Sequence, residues 1–147
     1  MNLYSKIVLL TLSGVRISRA VAVMLGQLGM NVVIHYHLSE EGAKQTIQNL
    51  SGKKSKHLVL QTDLKDDLAI KELLQKAEKQ VGPVSVLFNN AAEFFPTSLF
   101  PTTEEEWDNI LALNLKAPFF VTIFSRKDEN FRRRKIINIL YVSAVRP

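Results

Sequence analysis

Two short stretches carry residue types from which a nucleotide site could be built. The first, Thr11-Leu12-Ser13-Gly14-Val15-Arg16-Ile17-Ser18, joins an apolar run to a helical pattern. A helix that starts directly after a strand aims free backbone N–H groups and the positive end of its dipole at the turn, which suits a pyrophosphate. Glycines in such a turn let phosphates approach the backbone and let the helix pack close to the strand. Here Gly14 is the one glycine, Leu12 puts a branched side chain where close approach is wanted, and Ser18 adds a hydroxymethyl group at the packing position. An ordinary strand–helix turn and a cofactor loop fit this stretch equally well. The second stretch, His35-Tyr36-His37-Leu38-Ser39, ends another apolar run. An NAD site places an acidic residue there to accept from the ribose hydroxyls. Arg16, His37 and Ser39 are basic and hydroxyl groups, which favour a 2′-phosphate and hence NADP. Glu40 and Glu41 work against that reading, although both also suit the first turn of a helix.

Other candidates are weighed in the same way. In Leu87-Phe88-Asn89-Asn90-Ala91-Ala92, small residues after an apolar run leave room for a flat ligand, and the amides can fasten neighbouring loops. A loop whose Asn side chains bond locally explains the same residues. His35 and His37 are two apart and share a strand face, but no further ligands stand at zinc spacing, so no metal is expected. The run Arg132-Arg133-Arg134-Lys135 lacks the aromatic interleaving of nucleic-acid modules and reads as a solvated turn ahead of a strand, not as a nucleic-acid site. The chain holds 147 residues, 46% hydrophobic and 22% charged, with a net charge of +5. That composition is globular and excludes disorder. Zero cysteines exclude disulfide and thiolate chemistry. No apolar run approaches the ~18 residues of a membrane span, and the N-terminus does not read as a secretory signal. A cytoplasmic protein is the expectation.

The elements that must position these residues follow from periodicity. Five apolar runs, 6–10, 31–35, 57–61, 84–88 and 135–140, are rich in Val, Ile and Leu at consecutive positions. Such continuity suits a parallel sheet covered on both faces. Between them lie helical patterns. Ile17, Val21, Met24, Leu25 and Leu28 share helical spacing and predict a core face, with Gly29 as the C′ glycine. Ser39 is a plausible N-cap. Leu68, Leu73, Leu74 and Ala77 predict a second buried face, which stops at Gly82-Pro83. Thr103 and Glu106 form a capping box, and Pro118 should kink or restart the helix that follows. The first four strands start about 25 residues apart, the size of a βα unit. Right-handed crossovers then predict an α/β, Rossmann-type doubly wound parallel sheet, with ligand at the carboxyl ends of its strands. Residues 1–147 read as a single domain.

Taken together, these pieces resemble the short-chain dehydrogenase/reductase family. "TLSGVRIS" occupies the place of the family's TGxxxGxG turn, "TDL" (62–64) is similar to its adenine-contacting Asp segment, and "VLFNNAA" to its NNAG motif. "TEEEWDNILALNLKAPFF" is similar to the segment bearing its catalytic Asn, and "KIINILYVSA" to the strand that ends at its catalytic Ser. "HYHLS" with an arginine at the second glycine position looks most like the pteridine-reductase branch, which prefers NADPH and reduces pterins. The resemblance implies that Asp63 accepts from the adenine amine, that Leu64 lines its pocket, and that Asn90 and Ala91 flank the adenosine ribose. Arg16, His37 and Ser39 would face the 2′-phosphate, Ile17 would join the cofactor contacts, and Asn114 would hold a water in a proton relay.

The chain also departs from the family pattern. Tyr141 stands at the Ser position, and Ser143 would lie on the same strand face but roughly 6–7 Å further along. The general-acid Tyr-x-x-x-Lys is absent, and the chain reads as truncated before it. The resemblance therefore implies an NADPH-dependent oxidoreductase acting on a carbonyl or pterin-like small molecule, catalytically incomplete as given. Its affinity for NADPH is opposed by Leu12 and Ser18. The alternative is a non-catalytic dinucleotide-binding or protein-interaction module. Without further strands, the last run would form an apolar edge prone to self-association.

Overall fold

A computed structural model describes residues 3–12, 16–50, 55–94, 101–125 and 134–140. The chain alternates strands and helices: β1 (Ile7–Leu10), α1 (Arg16–Gln27), β2 (Asn31–Tyr36), α2 (Glu40–Leu50), β3 (His57–Gln61), α3 (Asp67–Gln80) and β4 (Val86–Asn89). A longer helical region follows, made of α4 (Glu104–Leu111), one π-helical turn (Ala112–Lys116) and α5 (Ala117–Phe124), and then β5 (Lys135–Asn138). The five strands form one sheet in the order β3-β2-β1-β4-β5, with every pairing parallel. The order reverses between β1 and β4, so the strand ends there border a crevice that can take a ligand.

The consecutive apolar residues are explained by two cores. In β1, Ile7 and Leu9 face a cluster with Ile70, Leu73, Leu74 and Ala77 of α3 and with Ala117 and Val121 of α5. Val8 and Leu10 face the opposite cluster with Ala22 of α1 and with Ala43 and Leu50 of α2. A strand whose side chains alternate between two buried faces favours apolar residues at consecutive positions, and a polar one there, such as His35 of β2, is held by hydrogen bonds.

Two predicted helix faces are borne out in part: Val21 and Leu25 of α1 pack against one core and Leu73, Leu74 and Ala77 of α3 are buried, while other members are corrected. Ile17, Met24 and Leu28 are more than half exposed, and α1 instead buries Ser18, Ala22 and Gly26. Close packing selects the smallest side chains: a Cβ on Gly26 would run into the Leu50 side chain of α2. Arg19 fastens the same pair of helices, donating to the Thr46 hydroxyl (3.1 Å) and the Gly42 carbonyl (3.2 Å). In α3, Leu68 points outward and Ile70 takes the expected core place. The Asp66 carboxylate caps this helix by accepting from the N–H groups of Leu68 and Ala69, which sets its phase.

The capping signals at the end of α1 and the start of α4 are realised. α1 ends in a Schellman motif, with the Met30 N–H on the Leu25 carbonyl, the Gly29 N–H on the Gly26 carbonyl, and Gly29 at φ +85°. Thr103 and Glu106 form the capping box of α4. At Pro118 the helix neither stops nor bends freely. The widened turn 112–116 precedes it and α5 restarts with the proline in its first turn, where a missing N–H costs little. Strand β5 is exposed along its length, with Ile136 and Ile137 open to solvent.

Candidate functional site at the carboxyl edge of the sheet

The carboxyl ends of β1 to β4 are tied together by buried polar side chains. Thr11, directly after β1, is buried, and its hydroxyl oxygen accepts from the backbone N–H groups of Asn90 (2.9 Å) and Ala91 (3.0 Å). The Asn90 amide turns back to donate to the carbonyls of Thr11 (3.4 Å) and Leu12 (3.3 Å) and to the Ser18 hydroxyl (3.3 Å). Ser18 in turn donates to the Leu12 carbonyl (2.9 Å). At its packing position Ser18 is buried, and its hydroxyl is bonded. The Asn90 amide thus fastens neighbouring loops far apart in sequence, the first of its two expected roles, rather than bonding locally.

Leu12 and Arg16 both adopt left-handed backbone conformations, at φ +52° and φ +55°. An L-residue pays about 1–2 kcal/mol for such a conformation, which glycine adopts without penalty. These are the first and second glycine positions of the fingerprint, so the local geometry accounts physically for glycine there and marks both substitutions as strained. Residues 13–15, including Gly14, lie outside the described residues.

Behind the turn sits His35, fully buried. The Leu12 N–H donates to its Nδ1 (3.1 Å), and its Nε2 faces the Thr62 carbonyl at 2.8 Å. An accepting Nδ1 puts the proton on Nε2, so the ring is neutral and bridges the ends of β1 and β3. Burial drives its pKa down to about 4, helped by nearby His37 and opposed by the Thr62 bond and by Asp63.

In front lies a cleft of about 260 Å³ whose walls include Leu12, His37, Asp63, Leu64, Lys65 and Glu93. Of the expected cofactor residues, this cleft gathers His37, Asp63 and Leu64. His37 Nε2 stands 4.0 Å from Asp63 Oδ2, and the other Asp63 oxygen accepts from the Lys65 N–H (2.9 Å). Ala91 packs against the core while its neighbour Ala92 lines the cleft. Arg16 and Ile17 are exposed at the start of α1, and Ser39 is exposed just before α2, its carbonyl accepting from the Ala43 N–H. Asn114 lies in the π-helical turn. Its amide closes a two-way clasp on Glu93, accepting from the N–H and donating to the carbonyl, both at 2.8 Å. Tyr141, Ser143, Arg132 and Arg133 lie outside the described residues.

Thr11, Lys65 and Glu93 are site residues that sequence reasoning missed. Thr11 heads the fingerprint stretch and could have been found from that position; Lys65 and Glu93 had no comparable signal. Among the described residues no group of three or more His, Asp or Glu could hold a metal ion, and no helix is long and apolar enough to cross a membrane.

The family model described as short chain dehydrogenase matches residues 6–146. The chain belongs to the short chain dehydrogenase family. It is 36% identical over 120 residues to a short chain dehydrogenase of Claviceps purpurea, an alignment that covers 82% of this chain and 46% of that protein. It is 30% identical over 103 residues to the 3-oxoacyl-acyl-carrier-protein reductase FabG of Staphylococcus epidermidis, covering 70% of this chain and 42% of that one. Among solved structures, a blue fluorescent protein from a metagenomic library in complex with NADPH superposes with a TM-score of 0.90 at 28% identity, covering 99% of this chain and 60% of that chain. The chain therefore spans less than half the length of these curated short-chain relatives.

Proposed function

We propose that this chain forms the cofactor-binding part of an NADP-dependent short-chain reductase. The observation that carries the reading is the cleft at the carboxyl edge, where His37, Asp63 and Leu64 converge beside the strained turn into α1. The residues suit a dinucleotide: a carboxylate for the adenine amine, an apolar wall at Leu64, and His37 rather than an acidic residue directly after β2, with Glu40 paired to Lys44. Arg16, His37 and Ser39 supply the cation, imidazole and hydroxyl that recognise that phosphate. In this reading Asn90 and Ala91 border the ribose, and Ile17, exposed in the first turn of α1, contacts the cofactor. The solved relative described as an NADPH complex and the relative described as a reductase support the same reading.

Bound NADPH would supply hydride to a carbonyl or to a pterin-like C=N bond, the latter suggested by the "HYHLS" stretch with Arg16. The chain's own residues bind and orient. Asn114 acts first as the clasp on Glu93, which holds loop 90–94 against the π-helical turn. Ser143 is the candidate for steadying an oxyanion. No Tyr-x-x-x-Lys occurs within the 147 residues, so we take residues 1–147 as one dinucleotide-binding unit that does not turn over by itself. Arg16→Ala should weaken NADPH binding about tenfold while leaving NADH binding unchanged. Equal losses for the two nucleotides would remove the 2′-phosphate assignment.

The exposed β5 favours a second reading, an interaction module that pairs its edge with another chain. Concentration-dependent sedimentation abolished by Ile137→Lys would support it, and a monomer at all concentrations would exclude it.

A further inference from the structure

Lys65 and Glu93 are charged residues in the wall of the cleft to which neither the family motifs nor the proposed nucleotide contacts give a task. Lys65 Nζ lies 2.9 Å from Glu93 Oε2 and donates to Asn109 Oδ1 of α4 at 3.0 Å. Both ends of the ion pair are about two-thirds buried. The backbone of Lys65 is fixed as well, since its N–H donates to Asp63 Oδ1. Glu93 is fixed from its other side by the Asn114 clasp. One continuous chain of contacts thus runs from Asp63 through Lys65 and Glu93 to Asn114, and crosses the cleft from the end of β3 to the loop after β4.

We propose that Lys65 and Glu93 act as a positioning bridge that sets the width of this cleft and holds the Asp63 carboxylate in register for the base of a bound adenine dinucleotide. The inference rests on the nucleotide reading above and deepens it by naming two residues that act through Asp63 and loop 90–94. The geometry is that of a strut. Removing either end leaves the other charge in the cleft wall without this partner. Electrostatics alone makes a different forecast. The ligand is an anion, so loss of the Lys65 charge would weaken it and loss of the Glu93 charge would strengthen it.

That difference in sign is the test. NADPH, NADH and the fragment adenosine 2′,5′-bisphosphate are titrated into the wild-type chain, Lys65→Met, Glu93→Gln, the double variant and the swapped pair Lys65→Glu/Glu93→Lys. Thermal midpoints establish that each is folded, and Glu93→Gln is nearly isosteric at a partly exposed site, so it retains the fold. A bridge predicts that both single variants weaken all three ligands about threefold to tenfold, the range expected of a partly buried ion pair. The double variant should lose no more than either single one, and the swapped pair should recover part of the affinity. In the free protein, the Glu93 amide should exchange faster in Lys65→Met, a change that simple loss of charge attraction would not produce. Tighter or unchanged binding by folded Glu93→Gln would overturn the bridge while leaving the nucleotide site standing. A folded wild-type chain that binds none of the three ligands would instead overturn the nucleotide reading, and the bridge with it.

Discussion

Acid should loosen this protein before its carboxylates titrate, and His35 is the reason. Its ring is neutral in the folded chain because Nδ1 accepts from the Leu12 N–H and no solvent reaches it. Burial holds its pKa at about 4, against 6.5 for the ordinary group. Above pH 6.5 neither the folded nor the unfolded chain carries the proton, and the stability contribution is complete. As the pH falls from 6.5 towards 4, the unfolded chain takes up a proton that the folded chain refuses, so stability falls throughout that window. The whole shift corresponds to about 3 kcal/mol, of which about 2 kcal/mol is lost between pH 7 and pH 5. His57 is also shifted down by burial and adds a loss of the same sign, so the comparison needs a variant. Urea unfolding at pH 7 and pH 5 should show the loss in the wild-type chain, and His35→Asn should show much less of it while retaining the share due to His57. Equal losses in the two proteins, or a His35 ring that titrates near 6.5 by NMR in the folded state, would refute the buried neutral bridge.

Two further substitutions test the backbone reasoning. Leu12→Gly relieves a left-handed strain of about 1–2 kcal/mol against a glycine entropy cost of about 0.5–1 kcal/mol, so stability should hold or rise slightly. The contacts that Leu12 makes to His35, Ser18 and Asn90 all use its backbone and survive the change. With the side chain gone from the cleft wall, NADPH affinity should increase, and unchanged affinity by calorimetry would show that Leu12 is no obstacle. Gly29→Ala puts a Cβ on a residue at φ +85° and against the Tyr4 ring. It should cost about 1–2 kcal/mol in urea unfolding, and a neutral result would mean that the C′ position relaxes.

Strands β1, β2 and β4 were legible because they are buried on both faces, which favours apolar residues at consecutive positions, and β5 carries the same pattern although it is exposed. Helix ends were legible too, since Gly29, Gly82, Thr103 and Glu106 act through local backbone geometry. The buried face of α1 was not. Hydropathy selects Ile17, Met24 and Leu28, whereas close packing on the sheet and on α2 selects Ser18, Ala22 and Gly26 for their small size. In the site, Asp63, Leu64 and His37 were readable from their motifs and positions at strand ends, and they do line one cleft. The bonds of His35 were not readable, because a strand pattern places it beside His37 without showing what lies across the sheet. Lys65 was equally silent: its contact with Asn109 spans 44 residues of chain and belongs to no local pattern.

The central claim is that the carboxyl edge of this sheet binds an adenine dinucleotide and prefers the 2′-phosphorylated form. Calorimetric titration of the folded chain with NADPH and then with NADH tests it most directly. Saturable binding of NADPH, about tenfold or more tighter than NADH, is the predicted result. Equal affinity for the two nucleotides, or no heat of binding at millimolar NADPH, would contradict it.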